Sequence, residues 1–166
     1  NNLGILALSL AVEEIARGCS ATGAVVSIHN SLFANLLDRK GTDDAGSDVA
    51  ALSTTARQEG SNWILKGTKA WVTSAKEAKV AIVFASVDRS LKHAGIAAFI
   101  VPLDTPGVSV GRNEEKMGIR GTSTCTLVLD NVQVPEENIL GEIGEGFRIA
   151  MEQLDLARIG IASQAL

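Results

Sequence analysis

What most constrains this chain is a double change in the period of its apolar residues. From Leu3 to Cys19 the apolar Leu3, Leu6, Leu10 and Ile15 lie opposite Glu13 and Glu14 at helical spacing, and Gly18 supplies a stop. Ala21 to Asp38 gives a second proline-free apolar stretch that runs into the polar turn Arg39 to Asp44. After Gly46 the period shortens. Ser53 to Gln58, Asn62 to Lys66, Lys69 to Thr73, Ala78 to Val87, Ile96 to Val101, Val108 to Arg112 and Cys125 to Leu129 are short runs rich in Val, Ile, Thr and Phe, which predicts strands. From Gly146 to Leu166 helical spacing returns through Phe147, Ala150, Met151, Leu154 and Ile161. Segregated helices, strands and helix define an α+β chain.

The punctuation between the strand runs predicts how they connect. Glu59-Gly60-Ser61, Lys66-Gly67-Thr68, Pro106-Gly107 and Asp130-Asn131 read as tight connections between antiparallel neighbours, for which a small barrel or sandwich is the simplest architecture. Pro135-Glu136-Glu137-Asn138 reads as a short helical turn, and Gly141 and Gly144 interrupt the chain before the last helix. With 166 residues of which 46% are hydrophobic, a sizeable core is expected. The formal net charge of -4 offers no broad basic field, which sets aside nucleic acid and anionic membrane as partners. The most apolar stretch, Leu3 to Val12, is shorter than a membrane span. Cys19 and Cys125 lie far apart without metal-ligand spacing, as expected of reduced thiols in an intracellular compartment.

Few residues carry an obvious chemistry. His29 and His93 are isolated, and most such histidines are structural or exposed; no metal cluster or Ser, His and acid set stands out. Ala45-Gly46-Ser47-Asp48 offers backbone amides and a hydroxyl that can hold a phosphate or a ligand carbonyl, or it is an ordinary turn. Trp71 and Thr73 share one face of a strand, where an indole can lie against a flat ring while a hydroxyl bonds its heteroatoms; core packing is the plain alternative. Asp155 and Arg158, three apart, form either a surface ion pair or a place where a planar guanidinium binds phosphate.

Taken in order, several segments resemble the acyl-CoA dehydrogenase family. They are Glu13-Glu14-Ile15-Ala16-Arg17-Gly18-Cys19-Ser20, Trp63-Ile64-Leu65-Lys66-Gly67-Thr68-Lys69-Ala70-Trp71-Val72-Thr73, Lys116-Met117-Gly118-Ile119-Arg120-Gly121-Thr122-Ser123-Thr124 and the run from Leu154 to Leu166, which looks most like short-chain (butyryl) members. The resemblance implies a helical N-terminal part at 1–44, a middle antiparallel β-barrel-like domain at 45–134, and a linker with the start of a C-terminal helical bundle at 135–166. It implies FAD as cofactor, contacted by Ala45, Gly46, Ser47, Trp71, Val72 and Thr73, and a short-chain acyl-CoA substrate contacted by Ser47, Phe147, Asp155, Leu156, Ala157 and Arg158. His29 to Leu32 corresponds to the region that shapes the acyl pocket. The implied reaction is α,β-dehydrogenation to a trans-2-enoyl-CoA in fatty-acid β-oxidation, with electrons passed to electron-transferring flavoprotein. The implied setting is a homotetramer in the mitochondrial matrix, or the cytoplasm of a bacterium.

Two departures qualify the resemblance. In the family a strand ending in Ser or Thr and then Glu-Pro precedes the Gly-Ser-Asp turn, whereas here Thr42-Asp43-Asp44 runs into Ala45-Gly46-Ser47-Asp48, so a segment is expected to be absent near Asp44 and Ala45. The family's glutamate base belongs to C-terminal helices that the chain does not include, so the resemblance assigns no catalytic residue within 1–166 and predicts no turnover by this polypeptide alone. An acyl-CoA oxidase or a short/branched-chain dehydrogenase is the nearest alternative, and a non-catalytic binding or assembly product is an alternative of another class.

Overall fold

The computed structural model describes residues 2–19 and 52–165. Helix α1 spans Asn2–Gly18, as its spacing predicts, and seven strands follow. They are β1 (Thr55–Glu59), β2 (Asn62–Thr73), β3 (Val80–Ser86), β4 (Ile96–Pro102), β5 (Val108–Asn113), β6 (Thr124–Pro135) and β7 (Ile139–Leu140), with helix α2 at Gly146–Ala165. The fold is α+β, as expected. The second apolar stretch, Ala21 to Asp38, and the turn at Ala45 to Asp48 lie outside the described residues.

The strands form one sheet in the order β5-β6-β2-β1-β3-β4-β7. It is not closed: β5 and β7 are its two edges, in place of the full barrel or separate sandwich that the turn signals suggest. The sheet nonetheless folds over itself. Trp63 of β2 and Phe99 of β4 are separated by two strands in the order, yet their ring centroids lie 5.6 Å apart. Between the two halves sits a core of Trp63, Leu65, Val83, Phe99, Leu127 and Val134 with their neighbours. One half has a second apolar face. Ile82, Phe84, Ile96 and Ala98 point away from that core onto Ile149 and Ala150 of α2, so β3 and β4 are buried on both sides and read as continuous apolar runs. Gly146 lets the start of α2 come close to β4, since a Cβ there would meet the Ala97 backbone at 2.9 Å. Helix α1 packs against α2 and buries Val12.

Two of the predicted turns are not turns. Lys66-Gly67-Thr68 lies inside a continuous β2, and Asp130-Asn131 lies inside a continuous β6. Between Leu65 and Gly67 the register moves from Val132 to Leu129, so β6 carries the extra residue of a bulge there, with Asn131 at a φ of 54°. The residues that permit a turn are the residues that permit a bulge, and the two uses look alike in sequence. Glu59-Gly60-Ser61 does join an antiparallel pair, β1 and β2. Pro106-Gly107 connects β4 to β5, which are not neighbours in the sheet.

Candidate functional site

The end of β2 is where the sheet departs from regular geometry. Between Lys69 paired with Leu127 and Val72 paired with Cys125, β2 advances by one residue more than β6. That bulge falls at Trp71, whose φ of 60° is left-handed and whose side chain is 69% exposed. For a bulky L-residue this conformation costs about 1–2 kcal/mol. Val72 packs against the inner core, leaving Trp71 exposed and Thr73 half-buried on either side of it. Core packing of Trp71, which the sequence leaves open, is thus excluded.

Surrounding contacts brace this end. Of five described non-glycine residues with positive φ, Trp71, Ser74 and Ile119 belong to it. The Ser74 amide donates to the Ser123 carbonyl at 2.9 Å, and the Thr122 amide to the Ile119 carbonyl at 3.3 Å. The Lys116 ammonium donates to the Thr122 carbonyl at 2.8 Å and hydroxyl at 2.6 Å, and the Ser123 hydroxyl donates to the Glu77 carboxylate. Met117, on the same loop, is fully exposed. Backbone strain held by surrounding bonds is characteristic of ligand sites. An exposed indole on a rigid strand end, beside a threonine hydroxyl, fits the face and edge of a flat heteroaromatic ring such as a flavin.

Beneath Trp71 lies a residue that sequence reasoning passed over. Lys69 sends its ammonium inward to the Phe84 carbonyl at 2.7 Å, and burial lowers its pKa to about 8. The lysine stands in the quoted run Lys69 to Thr73, on the face that plain alternation from Trp63 and Leu65 turns inward.

The residues expected to hold substrate lie elsewhere, on α2 over the outer face of β3 and β4. Phe147 packs against the Ile82 and Phe84 cluster and stacks on His93 with centroids 4.7 Å apart. His93 sits in a short 3-10 segment, Arg89–Gly95. Asp155 and Arg158 form a local ion pair at 2.9 Å with both side chains in solvent, 76% and 71% exposed. Leu156 and Ala157 occupy the turn between them, with Ala157 half-buried. Glu152 pairs with Arg148 at 2.7 Å, in keeping with a surface carboxylate. Ala45, Gly46, Ser47 and His29 lie outside the described residues. Among the described residues no hydrogen bond or ion pair joins Trp71 to the α2 group; the link is Phe84, whose carbonyl takes Lys69 and whose ring faces α2. Among them, too, no group of three His, Cys, Asp or Glu side chains could hold a metal, and no helix is long and apolar enough to cross a membrane.

An open, helix-backed sheet, antiparallel except where β1 meets β3, with an aromatic platform at one strand end, is the middle part of a flavin-dependent oxidoreductase fold. The sequence matches the acyl-CoA dehydrogenase N-terminal domain over residues 1–49 and the acyl-CoA dehydrogenase middle domain over residues 42–132, and the chain belongs to this family, whose members depend on FAD. It is 47% identical to the mitochondrial short-chain specific acyl-CoA dehydrogenase of Homo sapiens over 188 residues, covering 99% of this chain and 46% of the relative. Butyryl-CoA dehydrogenase from Megasphaera elsdenii superimposes with a TM-score of 0.91 at 37% identity, covering 97% of this chain and 49% of that one. A chain in a structure of the electron transferring flavoprotein of Acidaminococcus fermentans matches with a TM-score of 0.91 at 38% identity, again over 97% and 49%. The chain therefore spans about half the length of the relatives it matches.

Proposed function

We propose that the chain is part of an enzyme that uses FAD to dehydrogenate a short-chain acyl-CoA to the trans-2-enoyl-CoA in fatty-acid β-oxidation. Electrons leave to electron-transferring flavoprotein, the complete protein is a homotetramer, and it works in the mitochondrial matrix, or in the cytoplasm if the source is bacterial. The observation that carries this reading is Trp71, exposed and held left-handed at a strand end that nothing in the core explains. Identity to a short-chain specific relative and likeness to a butyryl-CoA dehydrogenase support the substrate class.

When bound, FAD supplies the hydride-accepting chemistry. The chain's own residues position and shield. Trp71, Val72 and Thr73 would hold the flavin ring, and Ala45, Gly46 and Ser47 are the further residues that the resemblance implies for it. Phe147 and the Asp155–Arg158 turn hold the CoA portion, with Arg158 exchanging its exposed carboxylate partner for phosphate. We keep the division at 1–44, 45–134 and 135–166, with β7 returning to the edge of β4 as the link to α2.

Titration of the purified chain with FAD, followed by flavin fluorescence, tests the reading. Saturable quenching whose midpoint moves to up to about tenfold higher FAD in Trp71→Ala while the melting temperature stays put supports it; absence of saturable quenching in the parent chain overturns it.

A further inference from the structure

Two registers are open to the end of β2. From Trp63 through Leu65 to Lys69 the inward positions alternate without a break, and Leu127 and Cys125 of β6 are inward too. If pairing ran on evenly from Lys69 and Leu127, Trp71 would stand opposite Cys125 and turn its indole into the core. The chain takes the other register. Val72 holds the place opposite Cys125 and Thr73 the place opposite Thr124, so the extra residue of the bulge lies before Val72 and Trp71 faces solvent. The even register would relieve the left-handed backbone of Trp71 and bury its indole; against it stands the bulk of an indole where Val72 now packs. These effects oppose each other, which leaves the choice to the ties beyond the bulge.

The ties run between the turn Ser74 to Ala78 and Ser123. The Ser74 amide donates to the Ser123 carbonyl at 2.9 Å, and the Ser123 hydroxyl donates to the Glu77 carboxylate. Within the turn the Glu77 and Ala78 amides both donate to the Ser74 carbonyl, at 3.1 and 2.9 Å, so the Ser74 amide and the Glu77 side chain move as one unit. The β6 side is fixed independently. The Thr124 amide donates to Asn113 Oδ1 at 2.8 Å, the Glu114 amide donates to the Thr124 carbonyl at 2.8 Å, and Lys116 holds Thr122. A slip to the even register carries everything after the bulge one residue, about 3.4 Å, along β6 and breaks both ties. Ser123 is 7% exposed, so its hydroxyl would lose its partner without gaining water. Glu77 itself is exposed, so little packing depends on it.

We propose that Glu77 is a positioning residue: its carboxylate holds the Ser74–Ala78 turn to Ser123, fixes the bulged register and thereby keeps Trp71 turned out. It acts through Trp71 rather than on a ligand. The choice of register does not depend on the flavin reading; its consequence for FAD rests on that reading.

Acrylamide quenching of tryptophan fluorescence on the whole chain reads the register without flavin, because Trp71 is 69% exposed and Trp63 5%. In Glu77→Ala the quenching constant is expected to fall at least about twofold as Trp71 turns inward. Glu77→Gln keeps an acceptor for the Ser123 hydroxyl and should retain the parent value. Ser123→Ala should match Glu77→Ala, with the FAD midpoint raised by up to about tenfold in both. Parent-like quenching in Glu77→Ala, or Glu77→Gln behaving as Glu77→Ala does, overturns the proposal. If Glu77→Ala unfolds, quenching rises because both indoles become accessible, and Ser123→Ala, which removes one hydroxyl, decides in its place: a parent-like value there overturns the proposal. Absence of FAD binding by the parent chain overturns the proposed function and leaves the quenching comparison intact.

Discussion

The two ends of β2 each carry a tryptophan, and the two have opposite fates. Trp63 has β1 on one side and β6 on the other, is 5% exposed, and packs its ring on Phe99 across the folded sheet. Trp71 has β6 alone among described strands, sits at a bulge with left-handed φ, and is 69% exposed. The composition of the strand is similar at both ends, so the side-chain type does not decide. The neighbours do: a strand flanked on both sides and covered by the opposite half of the sheet buries its aromatic, whereas a strand flanked on one side has backbone freedom to turn its aromatic out. One end contributes stability, and the other has given some up to hold a shape.

The largest effect expected from this contrast is at the buried end. Trp63→Ala removes the centre of the inner core and costs about 3–5 kcal/mol in urea denaturation; a loss as small as that of a surface substitution would mean the two halves of the sheet do not pack as described. The next effect lies under the exposed end. Lys69 has its pKa lowered to about 8 from 10.5 by burial, so the folded chain releases this proton before the unfolded chain does. Stability from this group is therefore lowest below pH 8 and rises as pH climbs from 8 to 10.5, by at most about 3 kcal/mol for an ammonium that keeps some solvent contact. Urea midpoints of the parent and Lys69→Met chains should converge as the pH is raised through that window, and parallel curves would show that the lysine is not desolvated. Between the two ends, Gly67→Ala forces a methyl group against the Thr54 backbone and costs roughly 1–3 kcal/mol. A neutral result there would mean that Thr54 can move.

How much of this could be read in advance follows the same division. The buried half was legible: the apolar runs from Ala78 to Val87 and from Ile96 to Val101 are strands because both their faces are covered, and continuous Val, Ile and Phe announce that. Helix α1 and helix α2 were legible from their period. The irregular half was not. Gly67 and Asn131 carry turn chemistry that the structure uses for a bulge, and whether a flexible residue reverses a strand or kinks it is decided by pairing with a distant partner, here β2 with β6. Lys69 follows plain alternation from Trp63 and Leu65, so its direction was legible, but its partner, the Phe84 carbonyl of a distant strand, was not. For Trp71 the residue type gave a candidate and the resemblance gave a role, but the left-handed backbone that turns it outward comes from the bulge. Asp155 and Arg158 were equally readable as a local pair or as a ligand clamp, and they pair locally.

The smallest expected change in stability is also the most telling for the exposed end. Replacing Trp71 by Gly removes an exposed side chain, so little packing is lost, and it relieves about 1–2 kcal/mol of left-handed strain. Against that stands the larger freedom glycine adds to the unfolded chain, about 0.5–1 kcal/mol. The two leave a net gain of roughly 0.5 kcal/mol, measurable as a small rise in urea midpoint. The same substitution removes the surface on which a flat ring would stack, worth about 0.5–1.5 kcal/mol and therefore up to about a tenfold loss in FAD affinity. Stability rising while affinity falls would mean that the strain at Trp71 is held in place for the ligand. Stability falling would mean instead that the indole contributes to the fold, and the distinction between the two ends of β2 would disappear.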